Sequence, residues 1–348
     1  MSVKITNKYG APAELYKAAC FDDHVTKGDI SVTTLIGSPR VRMLKDANEV
    51  EEDVNDHVFM MLGTAFHSLM ESATYTHRDY ETLKFAHAAL KRMGLPDLAK
   101  QIGLAAKKGF PDEQVGKTIF SERTLTLDIT QVSEVDDKEY TYRVSGTQDY
   151  YNAPEKLLRD YKVCNVNKYG EDEHIDWERQ QNIYAHMLRA IGCEVEKIEI
   201  LAMFRNWGKM NYIMNPNKKA NKYPDSVFKI IELRVWSPEE CEEYIKQRVK
   251  LHYEASQRKK LPLCSYTERW AKPDAFAVMS ETRKNAAKIC YSKASAEQYI
   301  EDNKAKLTNP KIEFRIDVGF KCKFYCSVAK FCKQKKDREE FVEKSKKK

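Results

Sequence analysis

In NDHVFMMLGTAFHSLMESA (55–73), Phe59, Leu62, Phe66, Leu69, Met70 and Ala73 recur at three- and four-residue spacing, which predicts an amphipathic helix. Helical character is expected to continue to about residue 107, broken near Gly94-Leu95-Pro96. The pattern then changes, and short runs predict strands at 117–130, 139–151 and 157–164. Helical spacing returns in DWERQQNIYAHMLRAI (176–191), where Trp177, Tyr184, Met187, Leu188 and Ile191 form the apolar stripe. Asp176 is the expected cap of that helix and Gly192 its stop. Two more strands lie in KIEILAMFRNW and VFKIIELRVW. SPEE (237–240) follows, a capping box with proline at the first helical position, and predicts the start of a long helix. A short capped helix is predicted at 31–44, and a Lys/Ala-rich helical stretch near 281–303.

This order of helix, mixed sheet, helix, strands and helix predicts an α/β domain with an appended C-terminal segment. At 348 residues the chain exceeds the usual single domain. The expected division is an N-terminal helical segment (1–54), a core (55–260) and an extension (261–348). No apolar run approaches the roughly 18 residues of a membrane span, and the first residues lack a signal-peptide pattern. A soluble cytoplasmic protein with no membrane partner is expected.

Net charge is +7, and its distribution changes the picture. Residues 321–348 hold 11 Lys/Arg against 4 Asp/Glu, while the rest of the chain balances at 48 of each. A solvated tail is the plain reading of such a run, and attraction to a phosphate backbone the sharper one. The candidate DNA contacts there are Lys330, Lys333, Lys335 and Lys336. Arg40, Arg42 and Arg205 are the alternative on the balanced body. Nine cysteines without a secretion signal argue against a disulfide framework. Cys322-x3-Cys326-x5-Cys332 stands apart, since three thiols within 11 residues favour a metal site.

Chemistry-bearing residues occur inside the predicted strands. Asp149 lies late in one, and Asp160 and Lys162 lie late in the next, two apart and so on one face. Two carboxylates and an ammonium suit a metal ion acting on phosphate. His67 lies beside the apolar stripe of its helix, with Gly63 one turn before and Glu71 one turn after. Gln180 falls on the stripe of the 176–191 helix, where a buried amide needs polar partners. VGKTIF (115–120) fails as a phosphate-binding loop because Pro111 stands where glycine is required, and no GxSxG, HExxH or GxGxxG is present.

In order, GTAFH on a helix, GTQDYY on a strand, DYK on the next strand and QQNIY on the following helix resemble the PD-(D/E)XK nuclease superfamily. The likeness is to its RecB-like exonuclease branch, covers roughly residues 31–210, and implies a restriction-endonuclease-like core. It implies a metal site of His67, Asp149, Asp160 and the Val163 carbonyl, holding Mg²⁺ or Mn²⁺. Lys162 would position or activate the attacking water, and Gln180 and Tyr184 would orient the active site. Some relatives carry a [4Fe–4S] cluster on one upstream and three C-terminal cysteines. Here Ser38 stands at the upstream place, so Cys264 is the expected fourth partner of Cys322, Cys326 and Cys332, with Cys20 as fallback and zinc as the alternative metal. The implied activity is a metal-dependent DNA exonuclease in recombination, repair or replication, of phage-like style, in a bacterial or phage-infected cell. Recombination or replication proteins are the implied partners besides DNA. A non-catalytic nucleic-acid-binding protein and a restriction-type endonuclease are the rival readings.

Overall fold

The computed structural model describes residues 3–20, 26–74, 119–170, 174–214, 223–257 and 260–346. The helical region expected from 75 to 107 and most of VGKTIF lie outside them.

Short strands come first, β1 (Val3–Thr6), β2 (Ile30–Ser31) and β3 (Val50–Asp53). Two long ones follow, β4 (Ile119–Val132) and β5 (Glu139–Asn152), paired antiparallel from Ile119↔Asn152 to Val132↔Glu139. β6 (Leu157–Cys164), β7 (Lys197–Phe204) and β8 (Phe228–Leu233) complete a six-stranded sheet ordered β2-β5-β6-β7-β8, with β4 also on β5. The sheet is mixed, because β2–β5 and β6–β7 are parallel and the other pairs antiparallel. A parallel pair needs a crossover, and the helix Ile175–Ala190 supplies it between β6 and β7. Fold class is therefore α/β, a mixed sheet flanked by helices.

The chain divides into two compact units. One comprises Ile5–Ile36 and Asp53–Glu254, the other Met1–Lys4, Gly37–Glu52 and Ala255–Lys348. The expected N-terminal segment is thus shared between the units rather than forming a piece of its own. In the sheet unit, Leu125, Ile129 and Val144 pack with Ile183, Met187 and Leu188 of the crossover helix and with Ile245 and Val249. Tyr184, Met187 and Leu188 of the expected apolar stripe lie on the face that covers the sheet, whereas Trp177 packs in a second cluster with Ile200 and Phe204 and Ile191 is exposed.

Local signals held at several ends. Ser237 Oγ accepts the Glu240 N–H at 3.2 Å while Glu240 accepts the Ser237 N–H at 3.0 Å, the reciprocal capping box. Gly192, at φ +87°, ends the crossover helix, with the Cys193 N–H on Leu188 O and the Gly192 N–H on Arg189 O, both at 3.0 Å. At the other end the N-cap is His174, so Asp176 lies in the first turn instead of capping. The helix expected at 31–44 is two, Val32–Ile36 and Pro39–Ala47, separated at Gly37-Ser38.

The second unit holds a three-stranded antiparallel sheet of β9 (Ala275–Met279), β10 (Lys288–Cys290) and β11 (Lys311–Arg315), in the order β10-β9-β11. Val278, Cys290 and Ala296 form its core, the last from the helix Lys293–Asp302. The helical stretch expected near 281–303 is therefore half strand and turn. Strands of three to five residues are too short for their period to stand out.

Candidate metal centre

The pairing of β5 with β6 runs Asn152↔Leu157, Tyr151↔Leu158 and Tyr150↔Arg159, then stops. The next rung would set Asp149 against Asp160. Instead the strands part, and Asp149 Oδ2 accepts the Tyr161 N–H at 2.8 Å. On the other side of β5, Ser121↔Tyr150 and Arg123↔Gln148 leave Glu122 opposite Asp149. Glu122, Asp149 and Asp160 thus occupy one line across three neighbouring strands. Like charges opposed across a ladder repel. Glu122 also adopts φ 49°, a left-handed conformation that costs a residue with a Cβ on the order of 1–3 kcal/mol. Repulsion and strain at one place are features of a binding site, not of a strand built for stability.

His67, on the helix Val54–Thr74, faces this line. Its Nδ1 lies 3.6 Å from Asp149 Oδ2 and 3.7 Å from Glu122 Oε1. On the far side of the ring, Nε2 is 2.7 Å from the carbonyl of Tyr161. An N–H donated to that carbonyl leaves Nδ1 as the coordinating nitrogen, a common way of orienting a histidine ligand. Donor atoms of His67, Glu122 and Asp149 all fall within 4.8 Å of one another. Glu122 Oε1 is buried with no hydrogen bond of its own. Two carboxylates, one imidazole and an unused buried oxygen fit a hard divalent ion that tolerates nitrogen, manganese more readily than magnesium.

Asp160 is held separately. Gln181 Nε2 donates to its Oδ1 at 2.8 Å, and Lys162 Nζ lies 2.7 Å from its Oδ2. Tyr184, buried, bonds through its side chain to Gln180 and stands in the field of Asp160, Asp149 and Glu122. Burial first, then those charges, raise its phenol so that it stays protonated. Gly146, three residues before Asp149, makes room for that ring, since a Cβ there would lie 2.7 Å from Tyr184 Cε1 and hydroxyl and 2.9 Å from Val32 Cγ2. Gly146→Ala is expected to displace Tyr184 and to cost about 1–3 kcal/mol in chemical denaturation. An unchanged midpoint would show that the ring moves freely.

The electrostatics follow from burial among like charges. Burial, and then the charge of Asp160, push the Asp149 carboxyl up to about 8, against His67 and Lys162, which pull it down. Burial alone would lower the His67 imidazole, but Glu122, Asp149 and the Tyr161 carbonyl outweigh it and lift it to about 9. For Lys162, burial is likewise overcome by Asp160 and Asp149, so the ammonium stays charged. A permanently charged lysine stabilises an anion; it is not poised to take a proton.

The expected residues thus converge, with corrections. Glu122 joins the group that could hold a metal ion, whereas Asp160 is engaged by Gln181 and Lys162. The carbonyl that His67 reaches is that of Tyr161, and Val163 lies two residues further along the same strand, opposite Met203. Gln181, not Gln180, carries the buried amide, with Gln180 serving Tyr184. Glu122 and Gln181 escaped sequence reading. The doubled Gln180-Gln181 was the only hint for the second, and nothing local marks the first.

In the other unit, burial raises the Cys264 thiol to about 11 and also raises Cys322. Each of Cys264 and Cys322 feels Cys332, and Cys322 feels Cys326, so the four expected thiols share one neighbourhood. Ser38 Oγ lies 3.1 Å from Cys264 Sγ, so the upstream place and the expected fourth cysteine meet. Cys264 is fixed by a reciprocal pair with the buried Gln334, its N–H to Oε1 and its carbonyl to Nε2, both 2.8 Å. Cys20 belongs to the sheet unit.

The proposed DNA contacts separate by exposure. Arg40 is buried, donating through Nη1 to the carbonyls of Leu261 and Pro262 and through Nε to Cys332 Sγ at 3.3 Å, so little of its guanidinium is open to phosphate. Arg42 is mostly buried beside Asp46 at 3.8 Å. Neither is an open surface cation. Arg205 is exposed, stacked 3.6 Å from the Phe59 ring centroid. Lys330, Lys333 and Lys336 are exposed, Lys330 lying 3.8 Å from Glu51, and Lys335 pairs with Glu339 at 3.1 Å. Replacing these four lysines with glutamine should flatten the plot of log affinity for duplex DNA against log salt by about 0.9 per lost contact. An unchanged slope would mark the segment as a solvated face.

Among the described residues no helix is long and apolar enough to cross a membrane. The chain matches no protein-family model and no curated protein. Of solved structures, it is similar to one described as the crystal structure of SSO0001, at 14% identity and a TM-score of 0.37, over 70% of this chain and 85% of that one.

Proposed function

We propose that this chain is a metal-dependent deoxyribonuclease of the PD-(D/E)XK type, an exonuclease acting on DNA phosphodiesters. The observation that carries the reading is the line of Glu122, Asp149 and Asp160 across β4, β5 and β6, bracketed by His67 and Lys162. His67, Glu122 and Asp149 would hold Mn²⁺ or Mg²⁺, which supplies a Lewis acid and activates a coordinated water. Lys162, kept charged by Asp160, would stabilise negative charge building on the phosphate. Gln181 fixes Asp160, and Asp160 in turn fixes Lys162. The exonuclease assignment draws on the Gly-x-x-x-His and Gln-x-x-x-Tyr accompaniment of the two helices. Digestion of end-labelled single- and double-stranded DNA with Mn²⁺, Mg²⁺ or EDTA tests it. Ladders shortening from one end support the reading, and no cleavage under any condition overturns it.

The cysteines belong to the same proposal. Cys264, Cys322, Cys326 and Cys332 would hold an iron–sulfur cluster, with Arg40 donating to Cys332 and the Arg269 guanidinium near Cys322. The choice of an iron–sulfur cluster over zinc draws on the likeness of the cysteine pattern, three C-terminal thiols and one more distant. Anaerobically purified protein should be brown and contain iron and sulfide. Zinc alone would replace the cluster with a mononuclear site.

A further inference from the structure

Among the exposed aromatic residues of the second unit, four form one connected group where a solvated basic extension would carry none. Trp270, Phe320, Phe324 and Tyr325 are 52, 53, 66 and 64% exposed. They form one chain of contacts, with ring centroids 5.5 Å apart for Trp270–Tyr325, 5.7 Å for Tyr325–Phe320 and 4.8 Å for Phe320–Phe324. Lys321 Nζ lies 5.4 Å from the Trp270 ring centroid. From Phe320 to Lys336 the chain carries six lysines and no Asp or Glu. We propose that this surface is a stacking platform for single-stranded nucleic acid, the rings taking unpaired bases and the lysines the phosphates between them.

The platform is built, not incidental. Two segments distant in sequence are joined by backbone bonds, Phe320 N–H to Trp270 O at 3.2 Å and Lys321 N–H to Arg269 O at 3.1 Å. Beneath them the buried Arg269 donates to the carbonyls of Asp317 at 2.7 Å and Val318 at 3.1 Å. Gly319, at φ +100°, permits that approach, since a Cβ there would lie 2.5 Å from Arg269 O. Trp270 itself is held at φ 52°, in the left-handed region, so an exposed bulky residue is kept in a conformation it disfavours.

Charge and ring chemistry choose the occupant. An apolar protein patch would bury the rings but leave the ammonium groups without counter-charges, and a lipid surface would pair its phosphates with the lysines but give the rings no planar partner to stack on. Every base has a π face, and a strand brings one phosphate per base, which suits rings with Lys321 and Lys323 interspersed in sequence between Phe320 and Phe324. Bases inside a duplex are already stacked, so the platform selects unpaired strands. This deepens the nuclease reading by naming the form of DNA held, and it rests on that reading for the choice of nucleic acid.

The test is fluorescence anisotropy with labelled oligothymidylate and with a duplex, in EDTA, so that no cleavage occurs. Phe324→Ala and Tyr325→Ala should each weaken single-strand binding about tenfold, with duplex affinity changed less than twofold. Phe324→Tyr should retain binding, and Phe324→Leu, which keeps apolar area but loses the ring, should lose it. Unchanged single-strand affinity in the alanine variants overturns the platform. So does full retention by Phe324→Leu, which would mark an apolar docking surface for protein or lipid, and so does an equal loss on duplex. Single-strand binding that behaves as expected in a protein that never cleaves DNA would remove the nuclease reading and leave the platform standing.

Discussion

Asp149→Asn and Lys162→Ala are each expected to lower DNA cleavage by at least about 10²–10³-fold, the scale of removing one preorganised electrostatic group from an active site. Asn is the same size as Asp and still accepts the Tyr161 N–H through its oxygen, so the fold should persist. It cannot supply a negative ligand beside His67 and Glu122. Lys162→Ala instead strips the ammonium from Asp160 and leaves a buried carboxylate with Gln181 as its remaining hydrogen-bond partner. Wild-type rates in either variant, at matched purity, would remove the site assignment. Stability should move in an informative direction. The Asp149 pKa rises to about 8 in the fold from roughly 3.9 in an unfolded chain. Its contribution is therefore full below about 4 and lost as pH rises through 8. Asn never ionises and avoids that loss. In EDTA at pH 9 Asp149→Asn should melt above the wild type, and the difference should shrink toward pH 4. A lower melting temperature at every pH would mean that Asp149 is structural.

Metal binding should be strongly linked to protons. Without metal, Asp149 is protonated below about 8 and His67 below about 9. Coordination needs the carboxylate and the neutral imidazole, so an entering ion displaces both protons at neutral pH. The affinity for Mn²⁺ should then rise by up to about 100-fold per pH unit below 8, about tenfold between 8 and 9, and level off above 9. Calorimetry without DNA, in buffers of different ionisation enthalpy, counts the protons directly. His67→Ala should cut the release by about one proton and reduce the preference for manganese over magnesium, because the nitrogen ligand is gone. Titrations with no proton release and no pH slope would show that neither His67 nor Asp149 is a ligand.

By itself the sequence determined the local elements and the residue types that could carry chemistry. β6 over 157–164, the capping box at Ser237 and the glycine stop at 192 are local matters of period and backbone freedom, and they were legible as such. Asp149, Asp160, Lys162 and His67 stood out through the ordered series GTAFH, GTQDYY, DYK and QQNIY rather than through residue type, since charged side chains are common on the strands and helices of a chain that is 32% charged. Tertiary structure alone decided which of them meet. Glu122 enters the site only through the register of β4 on β5, which no residue near 122 announces, and shifting that register by one would aim a different side chain inward. Gln181 rather than Gln180 reaches Asp160 because the phase of the crossover helix over β6 is set by packing across the whole stripe. Arg40 looked like a surface cation in sequence, yet its guanidinium is taken up by Leu261, Pro262 and Cys332, more than 200 residues away. Period and capping act over one or two turns of chain and can be read along it. Register, helix phase and the partners of a buried charge are settled by contacts between distant segments, so only the fold determines them.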